Sequence, residues 1–196
     1  MIIVLLGCIT IGGNQPSKAR NYNVVDSLDS VIRFSGQDTS VARAYVDLTE
    51  RLFQLYPDTV ISLCNKALEI ANARLSTSDE KETRSYLLTK AQALNNIGLI
   101  YYKRGKLDTA HQYYLECLSI FEQQEEKNGM ATCYNNIGSI YKSRGDIKRA
   151  LDNYHSALNI CQETNNNQGI NHVSNNIGLI YINQGAYTKA LDIYNK

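Results

Sequence analysis

The chain has 196 residues, 43% of them hydrophobic, with 20 Lys and Arg against 19 Asp and Glu. That balance excludes a disordered chain, which combines few apolar residues with high net charge. A formal charge of +1 gives no general pull toward nucleic acid or acidic membranes.

Ile2 to Ile11 form an apolar run without charge, too short to span a bilayer, which needs about 20 residues. The run matches the hydrophobic region of a secretory signal. Gly12-Gly13-Asn14-Gln15-Pro16 follow it, and Ser17 and Ala19 make a small-x-small site for cleavage after Ala19. Leu5-Leu6-Gly7-Cys8 offers a second reading, a lipobox with Cys8 as the lipidated residue. No Lys or Arg precedes the run in either case. Residues 1–19 are thus expected to be a signal peptide and the protein exported, periplasmic or membrane-associated; the alternative is a cytoplasmic chain with an apolar leader.

Residues 20–40 carry Val24, Val25, Leu28, Val31 and Ile32 at helical spacing and are expected to cap an array. Residues 41–75 read as a helical hairpin broken at Tyr56-Pro57-Asp58, with Pro57 opening the second helix. Residues 76–90 hold a loop and the start of a long helix, about Glu80 to Lys103, and the Asp79…Glu82 spacing suggests a capping box.

From residue 91 the chain repeats itself. Asn95-Asn96-Ile97-Gly98 recurs as Asn135-Asn136-Ile137-Gly138 and Asn175-Asn176-Ile177-Gly178, each copy at a constant offset of 40 from the last. A fixed period of roughly 20–50 residues marks a repeat architecture. The units are 91–127, 128–167 and an incomplete 168–196, whose unfinished hairpin suggests a piece of a longer array. Within a unit, Leu94, Ile97, Gly98 and Tyr101 share one helix face, and Gly105 follows Lys103-Arg104 as a helix C-terminus requires. A second helix then carries Leu107, Ala110, Tyr114, Cys117 and Leu118 on one face. A mid-helix glycine costs about 1 kcal/mol relative to alanine, so Gly98, Gly138 and Gly178 call for a packing reason. Close approach of the partner helix is expected there, with Tyr101, Tyr141 and Tyr181, one turn on, filling the space beside it.

Gly98-x-x-Tyr101, Gly105, Leu107, Ala110 and Tyr114 resemble the tetratricopeptide repeat, as do Gly138, Tyr141, Gly145, Ala150 and Tyr154, and then Gly178, Tyr181, Gly185 and Ala190. The likeness covers 91–196 strongly and 41–75 weakly. It implies an all-α fold, a right-handed α-solenoid of helical hairpins. The usual unit is about 34 residues; the six extra residues here are placed between hairpins, at Gln123–Asn128 and Thr164–Gln168. This longer form is similar to units of kinesin light chains, Leu-Gly-Asn-repeat polarity adaptors and bacterial peptide-sensing regulators.

The resemblance implies that first helices line a concave groove and that Asn96, Asn136 and Asn176 match a position that clamps the backbone of an extended peptide. A carboxamide offers both donor and acceptor to a peptide unit. Asn95, Asn135 and Asn175 are secondary candidates, and Leu99, Lys103, Lys142 and Leu179 would set specificity. The competing reading is that the asparagines bond across neighbouring helices and only rigidify the array. The expected partner is a peptide or protein segment. A leader followed by Asn-Asn-Ile-Gly repeats also resembles the input portion of exported bacterial signalling proteins, in which a membrane-tethered output domain follows; a free-standing scaffold is the alternative.

Other signals are weak. Lys103, Arg104, Lys106, Lys142, Arg144, Lys148 and Arg149 make basic turns that Asn183 and Gln184 do not continue, so a solvated edge is preferred to a nucleic-acid surface. Cys8, Cys64, Cys117, Cys133 and Cys161 show no metal-type spacing and read as small buried hydrophobes. His111, His155 and His172 occupy different phases, and no catalytic, metal or cofactor motif is present. An enzyme is not expected.

Overall fold

Pro57 supplies a fixed φ and needs no donor in the first turn of a helix; it stands at the first position of the second described helix. The computed structural model describes residues 39–53 and 56–195. All described residues belong to one compact unit within Gln37–Lys196. The leader, Cys8 and the capping helix expected at Val24–Ile32 lie outside the described residues.

The helices are α1 Thr39–Leu52, α2 Pro57–Arg74, α3 Glu80–Lys103, α4 Leu107–Gln123, α5 Lys127–Ser143, α6 Ile147–Glu163, α7 Asn167–Asn183 and α8 Tyr187–Tyr194. Among the described residues there is no strand. Each helix packs on the next, giving the all-α solenoid expected of the sequence. First helices also touch each other, α1 with α3, α3 with α5 and α5 with α7, while successive second helices make no comparable contact. An array in which one set of helices is crowded and the other spread curves toward the crowded set, so α3, α5 and α7 form its inner side.

The turns explain the period. From α4 to α7 every helix has 17 residues and is separated from its neighbour by three. The middle residue of each link is left-handed: Gly105, Glu125, Gly145, Asn165 and Gly185, with φ of 72°, 53°, 79°, 54° and 72°. In each, the next residue's N–H closes back on the last helical turn: Lys106 on the Tyr101 carbonyl, Glu126 on Phe121, Asp146 on Tyr141, Asn166 on Cys161 and Ala186 on Tyr181. This is the Schellman closure, which uses carbonyls that the helix end leaves without a partner. Only residues 124–126 and 164–166 lie outside helices at the two places where a six-residue insertion was expected. The extra length is helix, not loop.

A core of aliphatic residues, cysteine and tyrosine runs through the stack, with Leu94, Tyr114, Cys117, Phe121, Cys133 and Ile137 in one cluster and Tyr154, Leu158, Val173, Ile177 and Ile193 in the next. The repeated glycines admit a ring, but not the one expected. A Cβ on Gly98 would stand 2.8 Å from Cε1 of Tyr114, and one on Gly138 2.8 Å from Tyr154; Gly178 faces Tyr194 in the same way. The filling residue thus comes from the second helix of the hairpin. Tyr101 instead lies half-buried and stacked on Tyr113, with centroids 5.5 Å apart, and Tyr141 meets His111 edge-on at 5.6 Å. A ring reaching across to the partner backbone couples the two helices at the notch itself. Ala110, Ala150 and Ala190 are buried beside these rings.

A left-handed non-glycine costs about 1–2 kcal/mol, and glycine relieves it. Glu125→Gly is therefore expected to raise the unfolding free energy by about 0.5–1 kcal/mol, after the entropy that glycine adds to the unfolded chain. Gly145→Ala should lower it by about 1 kcal/mol. Urea melts followed by circular dichroism check both, and equal midpoints for all three proteins would refute the turn argument.

Candidate peptide-binding face

The inner side is built from α3, α5 and α7, whose positions 87–103, 127–143 and 167–183 share one frame at an offset of 40. Ile97, Ile137 and Ile177 point into the core with the glycines that follow them. The asparagines just before them lie at the boundary, half-buried except for exposed Asn175.

These asparagines bond to one another across the array. The side-chain amide of Asn136 donates to Oδ1 of Asn95 at 2.8 Å, and that of Asn176 donates to Oδ1 of Asn135 at 2.8 Å. At the first hairpin the same donor, Asn96 Nδ2, reaches Thr49 Oγ1 at 2.7 Å, and the buried Thr49 hydroxyl donates to the Val46 carbonyl at 2.6 Å. The second asparagine of each pair is thus the donor to the unit before, and the first is the acceptor for the unit after. Asn175 has Tyr194 as its neighbour, whose hydroxyl lies 3.5 Å from Oδ1.

A carboxamide carries two donor hydrogens and two acceptor lone pairs, so one bond each leaves Asn136 and Asn176 an N–H and an oxygen to offer. The ladder fixes which way each amide points. Both roles considered for the asparagines, bracing the array and presenting amide groups, are compatible with this geometry.

Around the ladder the side chains vary. Leu99 and Tyr102 are half-buried, and the Tyr102 hydroxyl meets Ser143 Oγ at 3.1 Å. The corresponding residues of α7, Leu179 and Ile182, are 42% and 39% exposed. Lys103 lies over the Phe53 ring, its Nζ 4.2 Å from the centroid. Lys142 is half-buried and makes no ion pair among the described residues. Ser139, between Leu99 and Leu179 in the frame, bonds the Tyr154 hydroxyl at 3.0 Å. Burial pushes the Tyr154 phenol upward, and that serine partly offsets the shift.

At the turns, Arg104 pairs with Asp58 at 2.6 Å and Arg144 with Asp108. Two of the cations in the basic turns thereby bridge consecutive hairpins. With almost fully exposed carboxylates such pairs contribute at most about 1 kcal/mol. His111, near Asp108 and Arg144, is shifted downward, first by burial and then by the Arg144 charge. No group of three His, Cys, Asp or Glu among the described residues is placed to hold a metal. No described helix is long and apolar enough to cross a membrane.

The inter-repeat partnership of the two asparagines was not readable from either alone; what signals it is their adjacency, which puts a donor and an acceptor on opposite flanks of the same helix. Thr49 carried no sequence signal, because the first hairpin lacks the Asn-Asn-Ile-Gly motif.

Stacked hairpins with a crowded inner helix row define a helical-repeat interaction module, a class that is typically non-enzymatic and binds protein or peptide partners. Residues 89–163 match the tetratricopeptide repeat, and residues 172–196 match it again. The chain belongs to the tetratricopeptide-repeat family. Among solved structures it is similar to a Podosopora anserina protein described as a putative kinesin light chain with nearly identical TPR-like repeats: TM-score 0.55, 13% identity, 79% of this chain and 72% of that one. It is also similar to BtubC (BKLC) from P. vanneervenii, with TM-score 0.47, 21% identity and coverage of 91% and 80%. MamA follows with TM-score 0.44, 16% identity and coverage of 79% and 83%. At these identities the likeness concerns the fold alone. No curated protein sequence matches the chain.

Removing the donor of one rung leaves Asn95 Oδ1 without its partner in a half-buried place. Asn136→Ala is expected to cost about 1 kcal/mol of stability. A double-mutant cycle with Asn95→Ala should return a coupling of about 0.5–1.5 kcal/mol; a coupling of zero in urea melts would mean that the rung carries no energy.

Proposed function

We propose that the inner face of α3, α5 and α7 binds an extended peptide or protein segment, and that this binding is the input step of a bacterial signalling or regulatory protein. The observation that carries the reading is the row of oriented side-chain amides with hydrogen-bonding capacity left over, flanked by exposed apolar and cationic side chains. An extended chain repeats its donors and acceptors about every 3.3 Å, so a row of fixed amides can take its backbone at intervals without reading its sequence. Each such bond nets about 0.5–1.5 kcal/mol. Selectivity therefore falls to Leu99, Tyr102, Leu179 and Ile182, which suit apolar side chains, and to Lys103 and Lys142, which suit a carboxylate.

The measurement is a positional-scanning peptide library read by fluorescence polarisation. Peptides that join apolar residues to Asp, Glu or a free C-terminus are expected to be selected. Lys142→Ala and Leu179→Ala, both on the surface of the face, should each weaken the best peptide about tenfold, the loss of about 1.4 kcal/mol, with the melting temperature unchanged. Peptides that bind equally well to both variants would place recognition elsewhere and end this reading of the face.

The signalling part of the proposal is supported by the apolar leader, Ile2 to Ile11, ahead of the repeats, and it includes export. Residues 1–40 fused to a phosphatase that is active only outside the cytoplasm should give activity on whole bacterial cells. A fusion that accumulates inside and stays silent would remove export from the proposal while leaving the binding face intact.

A further inference from the structure

We infer that Cys117 and Cys133 form a site of reversible disulfide formation, joining the hairpin α3–α4 to the first helix of the next. Cys117 lies on α4 and Cys133 on α5, both fully buried, with Sγ atoms 3.1 Å apart. A disulfide requires an approach of only about 1 Å more. A metal does not fit the spacing: a tetrahedral zinc with bonds of about 2.3 Å needs sulfurs about 3.8 Å apart, and no third ligand is in reach among the described residues.

The repeat itself supplies the control. One repeat further along, the same two positions are Ala157 and Val173; in the unit before, the helix corresponding to α5 has Ala93. All are buried. Packing at this interface is therefore satisfied by small apolar residues, and the interface between α4 and α5 departs from that pattern on both sides at once. Cys64 and Cys161, also buried, stand as single thiols in other layers. The site is one helical turn from Asn136 on α5, so a bond there would fix α5 against α4 beneath the Asn95–Asn136 rung.

In the closed interface both thiols are buried out of reach of an oxidant. The contact with Cys133 and then burial hold Cys117 in its protonated form, and the thiolate is the species that reacts. Oxidation must follow local opening. One thiol, once exposed, loses its proton and attacks a sulfur of glutathione disulfide, releasing one glutathione and leaving a mixed disulfide. As the interface recloses, the second thiol loses its proton and attacks the protein-side sulfur, releasing the second glutathione. Two protein thiols are oxidised to one disulfide, and one glutathione disulfide is reduced to two thiols.

The full chain is incubated with glutathione disulfide in the absence of denaturant, alkylated, and examined by intact mass and peptide mapping. The expected product has lost two hydrogens, has a single bond between Cys117 and Cys133, melts higher, and reverts with dithiothreitol. The rate should rise in mild urea, because opening gates the reaction. Cys117→Ala with Cys133→Val, which copies the next interface, should fold with an unchanged circular dichroism spectrum and form no such bond. Cys64→Ala with Cys161→Ala should still form it. A folded wild type that stays reduced where the urea-unfolded chain is oxidised overturns the inference. So does a product that stops at the mixed disulfide, or a map that places the bond on other cysteines.

Discussion

Each helix from α3 to α7 ends where the backbone passes through one left-handed residue and the next N–H closes back onto the last turn. That closure takes three residues, and the helices between closures all have the same length. The chain therefore returns to the same phase at every helix, and to the same kind of helix at every second one. The strictness of this count makes the ring contact and the asparagine rung repeat. Gly98, Gly138 and Gly178 each meet the tyrosine at the same position of the following helix, and the asparagine donors find their acceptors in the preceding repeat at the same 2.8 Å. A single residue inserted within α3 just before Asn95 would turn the residues after it by about 100° about the helix axis and break the ring contact and the rung together. Where glycine is absent, at Glu125 and Asn165, the left-handed turn persists at a conformational cost, which shows how strongly packing on either side enforces it.

The second dependence is the ring on the glycine. Tyr114 and Tyr154 are buried almost completely, each laid over the backbone of the opposite helix where a Cβ would collide. Tyr194 holds the same position in α8 and is 46% exposed, because no described helix follows to cover it. The glycine notch alone therefore seats the ring, but the neighbouring hairpin completes its burial. That division is the physical content of a solenoid: a hairpin supplies half of each core layer, and stability accrues from neighbours rather than from one central core.

How much of this could be read in the residues follows from what each signal encodes. The period, the helix faces and the αL glycines are local, and they appear in the residue order without ambiguity. The identity of the ring over the glycine was not local. Tyr101 follows Gly98 by one turn of α3, Tyr114 lies on α4, and only the crossing of the two helices decides that the farther one fills the notch. The added length of the units is likewise hard to place, because Gln123–Asn128 and Thr164–Gln168 are polar enough to read as loop, whereas only residues 124–126 and 164–166 lie outside helices. On the candidate site, the asparagines stand out in the repeat, but periodicity alone does not say whether an amide turns to its neighbour or to a ligand.

The asparagine ladder resolves a tension in the face it supports. A groove that reads an extended chain must hold its polar groups still, or each bond to the ligand is offset by the entropy of ordering a side chain, about 0.5–1.5 kcal/mol for a freely rotating one. Here the ordering is already accomplished in the folded array, by bonds between neutral groups that salt does not screen. The same bonds are too weak, one per interface, to hold hairpins together; buried rings and aliphatic residues do that. Thr49 makes the distinction visible. In the first hairpin the motif has drifted, the core face is kept by Val41, Ala42, Tyr45 and Val46, and a single hydroxyl still accepts from Asn96. What is retained there is the hydrogen bond that orients Asn96, an amide on the inner face, which is the part of the ladder that a bound backbone would need.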